Sequence, residues 1–160
     1  MTKTWTSPYT RRGSDHKMGF QLHPQLARDT LPVARLGGCR LLLMNDRRWT
    51  WCLLVPEVPD VRELHELPAP ARARVLELAC RLSEALQREF SGDKMNLAAL
   101  GNMVPQLHLH VIVRQVGDAA WPAPVWGRGE AVPWPQEERE ATLARLRSLA
   151  HGLDERLAPP

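Results

Sequence analysis

The chain has 160 residues, enough for one domain whose single core needs no disulfide or metal staple. Charged residues at 24 % and hydrophobic ones at 44 % give ordinary soluble-globular composition, and a net charge of +3, scattered along the chain, leaves no basic track for nucleic acid. No apolar run approaches the roughly 18 residues of a membrane span, and residues 1–19 are too polar for a secretory signal. Cys39, Cys52 and Cys80 have no framework spacing, which predicts a reducing, cytoplasmic setting.

Residues 1–19 have no hydrophobic period and read as a loose N-terminal arm. Phe20–Thr30 is a short helix candidate that tolerates Pro24 in its first turn. Leu31–Leu36 looks extended. Gly37-Gly38 is a tight-turn signal, and Cys39–Met44 is the return strand of a hairpin. Asn45-Asp46-Arg47-Arg48 forms a turn before a third strand, Trp49–Val55, which stops at Pro56. Trp49 and Trp51 share a face of that strand, either in the core or walling a base pocket.

Residues 59–68 connect to a longer pattern. Over Ala69–Phe90 the apolar period becomes helical, with Val75, Leu78, Ala79, Leu82, Leu86 and Phe90 in one stripe. Ser91-Gly92-Asp93 stops this main helix, and Lys94–Leu100 reads as a strand. Residues 117–135 carry Trp121, Trp126 and Trp134 among prolines, an irregular segment packed by its aromatics. Gln136–Leu157 is a final helix with Leu143, Leu146, Leu149, Ala150 and Leu153 on one side. Strands that are mostly antiparallel neighbours, with helices set apart from them, give an α+β class. The expected domains are the arm, one globular unit at 20–135, and a helical extension at 136–160 packed on it.

Chemistry concentrates between Gly101 and Arg114. From Gln106 the residues alternate as in a half-buried strand, with Leu107, Leu109, Val111 and Val113 toward a core. Gln106, His108, His110 and Ile112 take the other, open face. Alternate side chains lie roughly 6.5 Å apart on one side, so an amide and two imidazoles line one wall. Solvent-facing polar residues on a half-covered sheet are one reading of this wall. A zinc site on His108 and His110 is a second, but it needs further ligands, and only Cys52, His65 or Asp46 are available, brought in by folding. The third is His108 as a nucleophile whose neighbours hold a charged substrate.

The run Gly101-Asn102-x-Val104-x-Gln106-x-His108-x-His110-Val111-Ile112 resembles the signature strand of the histidine-triad (HIT) superfamily of nucleotide hydrolases and transferases. Leu53-Leu54-Val55-Pro56 and Trp121-Pro122 extend the likeness over roughly residues 39–126. The family pattern has histidine where this chain has Gln106 and glutamine where it has Asn102. The resemblance implies a sheet of about five strands, mainly antiparallel, with one long helix and a C-terminal helix, assembled as a homodimer. It makes His108 the nucleophile, flanked by Gln106 and His110. It also places Asn102 near the phosphates, with Asn96 a weaker candidate one residue out of spacing. Asp46, or its neighbour Asn45, would hold the ribose; an Asx-turn role for Asp46 is the alternative. In the family, the segment corresponding to 117–135 crosses near a partner subunit's site.

The resemblance implies attack by a neutral imidazole on an α-phosphorus, giving a nucleotidyl-His108 phosphoramidate that water then hydrolyses, with no cofactor. Suitable substrates are a nucleoside phosphoramidate, a nucleotidyl ester or a dinucleoside polyphosphate. An amide cannot carry a proton at neutral pH, so Gln106 predicts slower chemistry or altered substrate preference. The alternative function is a non-catalytic nucleotide-binding protein on the same fold.

Overall fold

Alternating apolar residues build a five-stranded sheet with both faces covered. The structure, a computed structural model, describes residues 19–157. Its elements are α1 (Pro24–Asp29), β1 (Thr30–Leu36), β2 (Cys39–Met44), β3 (Trp51–Pro56), α2 (Ala69–Glu89), β4 (Lys94–Ala98), β5 (Leu109–Arg114) and α3 (Gln136–Leu157). The strand order is β1-β2-β3-β5-β4 and every pairing is antiparallel. The fold is α+β, as the spacing of strands and helices predicts. Of the expected N-terminal arm, all but Gly19 lies outside the described residues.

The β1–β2 hairpin turns on Gly37 (φ 56°) and Gly38 (φ 79°), two successive left-handed positions that suit glycine and match the twist of the strands they join. On one face, Leu41 and Leu43 of β2, Cys52 and Leu54 of β3, and Leu109, Val111 and Val113 of β5 meet both long helices. The α2 stripe predicted from periodicity buries Val75, Leu78, Ala79, Leu82 and Leu86 there. Leu143, Leu146, Ala150 and Leu153 of α3 join the same core, so the C-terminal helix is part of the main packing layer.

The opposite face is where expectation and structure differ. Alternation reads it as open, yet it carries a second apolar cluster of Leu42, Trp51, Leu53, Val55 and Ile112, roofed by Leu26, Trp49, Val104, Ala120 and Val125. Irregular segments supply most of that roof, and irregular chain has no period to betray it. Three strand boundaries shift for related reasons. The strand carrying the motif starts at Leu109 rather than Gln106, because the Leu107 amide donates to Val61 O (2.9 Å) and so leaves the ladder. The preceding strand ends at Ala98, short of Leu100. Trp49 belongs to the turn, its amide donating to Asp46 O (3.4 Å), so β3 starts two residues late. Similarly α1 starts at Pro24, capped by His23, instead of at Phe20.

Candidate active site

Two imidazoles meet beneath the irregular roof. His108 and His110 are 5 % and 4 % exposed, which removes the reading of them as solvent-facing polar residues. Their ring centroids are 4.8 Å apart, edge to face. The His108 Nδ1 donates to the backbone carbonyl of Gln106 at 2.7 Å. A carbonyl only accepts, so Nδ1 holds the ring proton and the Nε2 lone pair is left for attack. Burial lowers the His108 pKa below its ordinary 6.5; the Gln106 carbonyl opposes this and the charge of His23 adds to it.

His110 is held at both nitrogens. Its Nε2 donates to Leu100 O (3.0 Å), and its Nδ1 accepts the indole N–H of Trp51 (2.9 Å). Burial, opposed by that carbonyl and assisted by His108, pushes its pKa down to about 4, so the ring is neutral at physiological pH. With both nitrogens in use, His110 offers no donor to a substrate in this arrangement. It also has no lone pair for a metal. The other possible zinc ligands lie elsewhere: Cys52 pairs with Val111 and faces the helices, His65 is exposed, and Asp46 is bound to Arg48. Among the described residues no cluster of three or more His, Cys, Asp or Glu could hold a metal ion.

Gln106 stands half-buried beside His108, its side chain bonded to backbone atoms of residues 21 and 23. Asn102 is exposed on the turn that precedes it. That turn needs Gly101, since a Cβ there would fall 2.9 Å from Val104 O and 3.6 Å from His108 Cε1. Asn96 is drawn away from the imidazoles, its Oδ1 accepting from Arg114 Nη1 at 2.9 Å.

Asn45 and Asp46 lie at the β2–β3 turn, where they hold the 117–135 segment. Asn45 Oδ1 accepts from the Trp134 amide (3.2 Å), and Asp46 Oδ1 from the Val132 amide (3.3 Å). Arg48 grips both Asp46 oxygens, through Nε (2.8 Å) and Nη2 (2.6 Å), and its Nη1 also donates to Arg128 O. Burial alone would raise the Asp46 pKa; the Arg48 and backbone hydrogen bonds outweigh it and hold the carboxyl below its usual range. The segment thereby packs Trp126 against His110 (5.1 Å between centroids) and Trp51 (5.7 Å) of its own chain.

A cavity of about 450 Å³ opens between this segment and the turn, lined by Asn45, Asp46, Arg48, Trp51, Trp126 and Arg128, among others. The buried Trp126 Nε1 has no hydrogen-bond partner. A second cavity, of about 360 Å³, adjoins Gln106 and His23. Sequence reasoning left Trp51 open between core and pocket wall and did not single out His23 at all. Only the β3–β5 register, which sets Leu53 opposite His110 and Trp51 opposite Ile112, brings the indole to the imidazole.

An imidazole with a free Nε2 thus stands just before the last strand of an α+β sheet, two residues from a second buried imidazole on that strand. The HIT domain family matches residues 28–117. The chain belongs to the HIT domain family. It is similar in structure to a histidine triad protein from Marinobacter aquaeolei (50 % identity, TM-score 0.83, 85 % of this chain and 99 % of that one). A histidine triad protein from Sinorhizobium meliloti is similar at 44 % identity and TM-score 0.79, over 81 % of this chain and 96 % of the other. One from Bradyrhizobium japonicum shares 38 % identity at TM-score 0.81, over 83 % and 99 %. No curated protein matches the chain. The HIT fold is one of nucleotide-binding and hydrolysing proteins in general, and among the described residues no helix is long and apolar enough to cross a membrane.

Proposed function

We propose that this HIT protein is a nucleotide hydrolase or transferase in which His108 Nε2 attacks the α-phosphorus of a nucleoside phosphoramidate, nucleotidyl ester or dinucleoside polyphosphate. The observation that carries the reading is the 2.7 Å bond from His108 Nδ1 to Gln106 O, which sets the tautomer a nucleophilic imidazole needs. The P–N bond to His108 forms as the bond to the leaving group breaks, and water later cleaves the nucleotidyl-histidine. The depressed pKa keeps the attacking ring unprotonated at neutral pH.

The nucleoside belongs in the 450 Å³ cavity, where Trp51 and Trp126 offer aromatic walls. Asp46 or Asn45 would face the ribose there, while Asn102 would supply a donor to the phosphate from the turn. Asn96, bonded to Arg114, would reach the phosphate only by exchanging that partner. A homodimer is part of the proposal. The edge strand β4 has one unpaired side, with Leu97, Leu100 and Met103 exposed on or beside it. A reducing, cytoplasmic setting belongs to it too, since Cys39 and Cys52 are buried free thiols whose pKa burial pushes up to about 12.

The second reading, a nucleotide-binding protein without turnover, draws on His110, which has both nitrogens occupied and so nothing to donate. Hydrolysis of adenosine and guanosine phosphoramidates and diadenosine polyphosphates by wild type and His108→Ala separates the two. Turnover lost in His108→Ala, with fold and nucleotide binding intact, and a nucleotidyl adduct mapped to His108 by mass spectrometry are the expected results. Binding without turnover in both proteins would establish the second reading.

A further inference from the structure

Gln106 occupies the position of the family's first histidine but is spent on the chain's own backbone. Its Nε2 donates to Gln21 O (2.9 Å) and its Oε1 accepts the His23 amide (2.9 Å). A carboxamide holds a donor and an acceptor in one plane, so it can bind both ends of the 21–23 segment at once; an imidazole has no such pair of groups side by side. Meanwhile the backbone carbonyl of Gln106 holds His108 Nδ1. One residue therefore links His23 to the nucleophile.

The state of the His23 ring is set by a third bond. Its Nδ1 accepts the Gln25 amide at 3.1 Å, so in the neutral ring the proton sits on Nε2. The ring is half-buried and lines the 360 Å³ cavity together with Gln21, Arg62 and Gln106. Its charge lowers the His108 pKa, an effect smaller than burial. Thus a third imidazole, with a donating nitrogen, stands beside Gln106, two residues before the nucleophile.

Resting on the nucleophile reading above, we propose that His23 supplies the donor that Gln106 does not. Its Nε2–H hydrogen-bonds a phosphoryl oxygen of the substrate at His108, and Gln106 serves to present it. No proton leaves His23 in this role; the bond steadies charge that builds on the phosphoryl oxygens.

His23→Asn tests the assignment, because asparagine is among the best helix N-caps and keeps the bond to Gln25 while removing the ring. With an adenosine phosphoramidate as substrate, kcat is expected to fall about 100-fold, the scale of losing one preorganised donor, with Tm unchanged. In the wild type, the ¹⁵N signal of His23 Nε2 should shift on titration with adenosine monophosphate. Wild-type kcat in His23→Asn, or a His23 signal unmoved at saturating nucleotide, would overturn the proposal. Gln106→Leu should lower kcat similarly, and adding His23→Asn to it should cost little more; additive losses would refute presentation by Gln106. Full activity in His23→Asn beside a dead His108→Ala sinks the His23 assignment alone. A wild type that binds nucleotide without turnover sinks the nucleophile reading, and the ¹⁵N titration then decides whether His23 meets the phosphate. A wild type that neither binds nor hydrolyses overturns both.

Discussion

Trp51 shows how a single donor sets the state of a site. Its N–H bonds the His110 Nδ1 lone pair, which exists only in the neutral ring, so it works with burial to keep that ring unprotonated. Trp51→Phe removes the donor and leaves a buried nitrogen unsatisfied, at a cost of about 1–3 kcal/mol in chemical denaturation. The His110 pKa should rise from about 4 in an NMR titration of that variant. Stability should also follow pH through these histidines. An unfolded histidine takes its proton near 6.5 and folded His110 only near 4, so between those values the unfolded chain binds more protons. Stability is therefore complete above about pH 6.5 and declines toward pH 4, with His108 adding to the slope. Below that, Asp46 and Asp118, both held under their usual 3.8, lose their own contribution as they protonate. The urea midpoint measured against pH should show this, and His110→Gln should flatten the upper part. An unchanged slope would exclude His110 as its source.

At the scale of elements, the end of β5 is secured by charge. Arg114 donates to both oxygens of Asp118, through Nε (2.7 Å) and Nη2 (2.9 Å), and through Nη1 to Asn96 of β4. The pair has side chains only 2 % and 8 % exposed. Asp118 also accepts the Ala120 amide (2.9 Å), so the turn that begins the 117–135 segment depends on it. Asp118→Ala would strand a buried guanidinium and should cost about 3–5 kcal/mol by denaturation. It should also loosen the segment that places Trp126 against His110; a loss below about 1 kcal/mol, the scale of a surface pair, would contradict this. Nothing in local spacing marks Asp118, since an Arg-x-x-x-Asp pair in a loop reads as surface charge. It meets Arg114 because the turn after β5 folds back on the strand end, its carboxylate also accepting the Gln115 (3.3 Å) and Ala120 (2.9 Å) amides.

For the whole molecule, both long helices pack on one face and the irregular segments on the other, so the site lies on the face without long helices. The edge at β4 remains available for the proposed dimer. Leu97 is 44 % exposed and Met103 91 %, and a charge there should oppose edge pairing. Light scattering of the wild type should then give twice the 18.1 kDa chain mass, and Leu97→Glu should give the chain mass. A monomeric wild type would remove the dimer from the proposal.

Periodicity by itself determined the α+β class, a strand over Leu109–Arg114 though not its expected start at Gln106, and the buried faces of α2 and α3, because those elements repeat every two or 3.6 residues and burial follows the repeat. The run from Gly101 to Ile112 likewise carried the family in its residue types. What tertiary structure decided is the environment of those residues. Trp51 and His110 are 59 positions apart, His23 and Gln106 are 83, and Asp46 and Val132 are 86. Such contacts depend on strand register and on where aperiodic chain crosses the sheet, and neither leaves a mark in local spacing. The histidines expected on an open wall are buried for that reason, and their protonation states follow from partners far away in sequence.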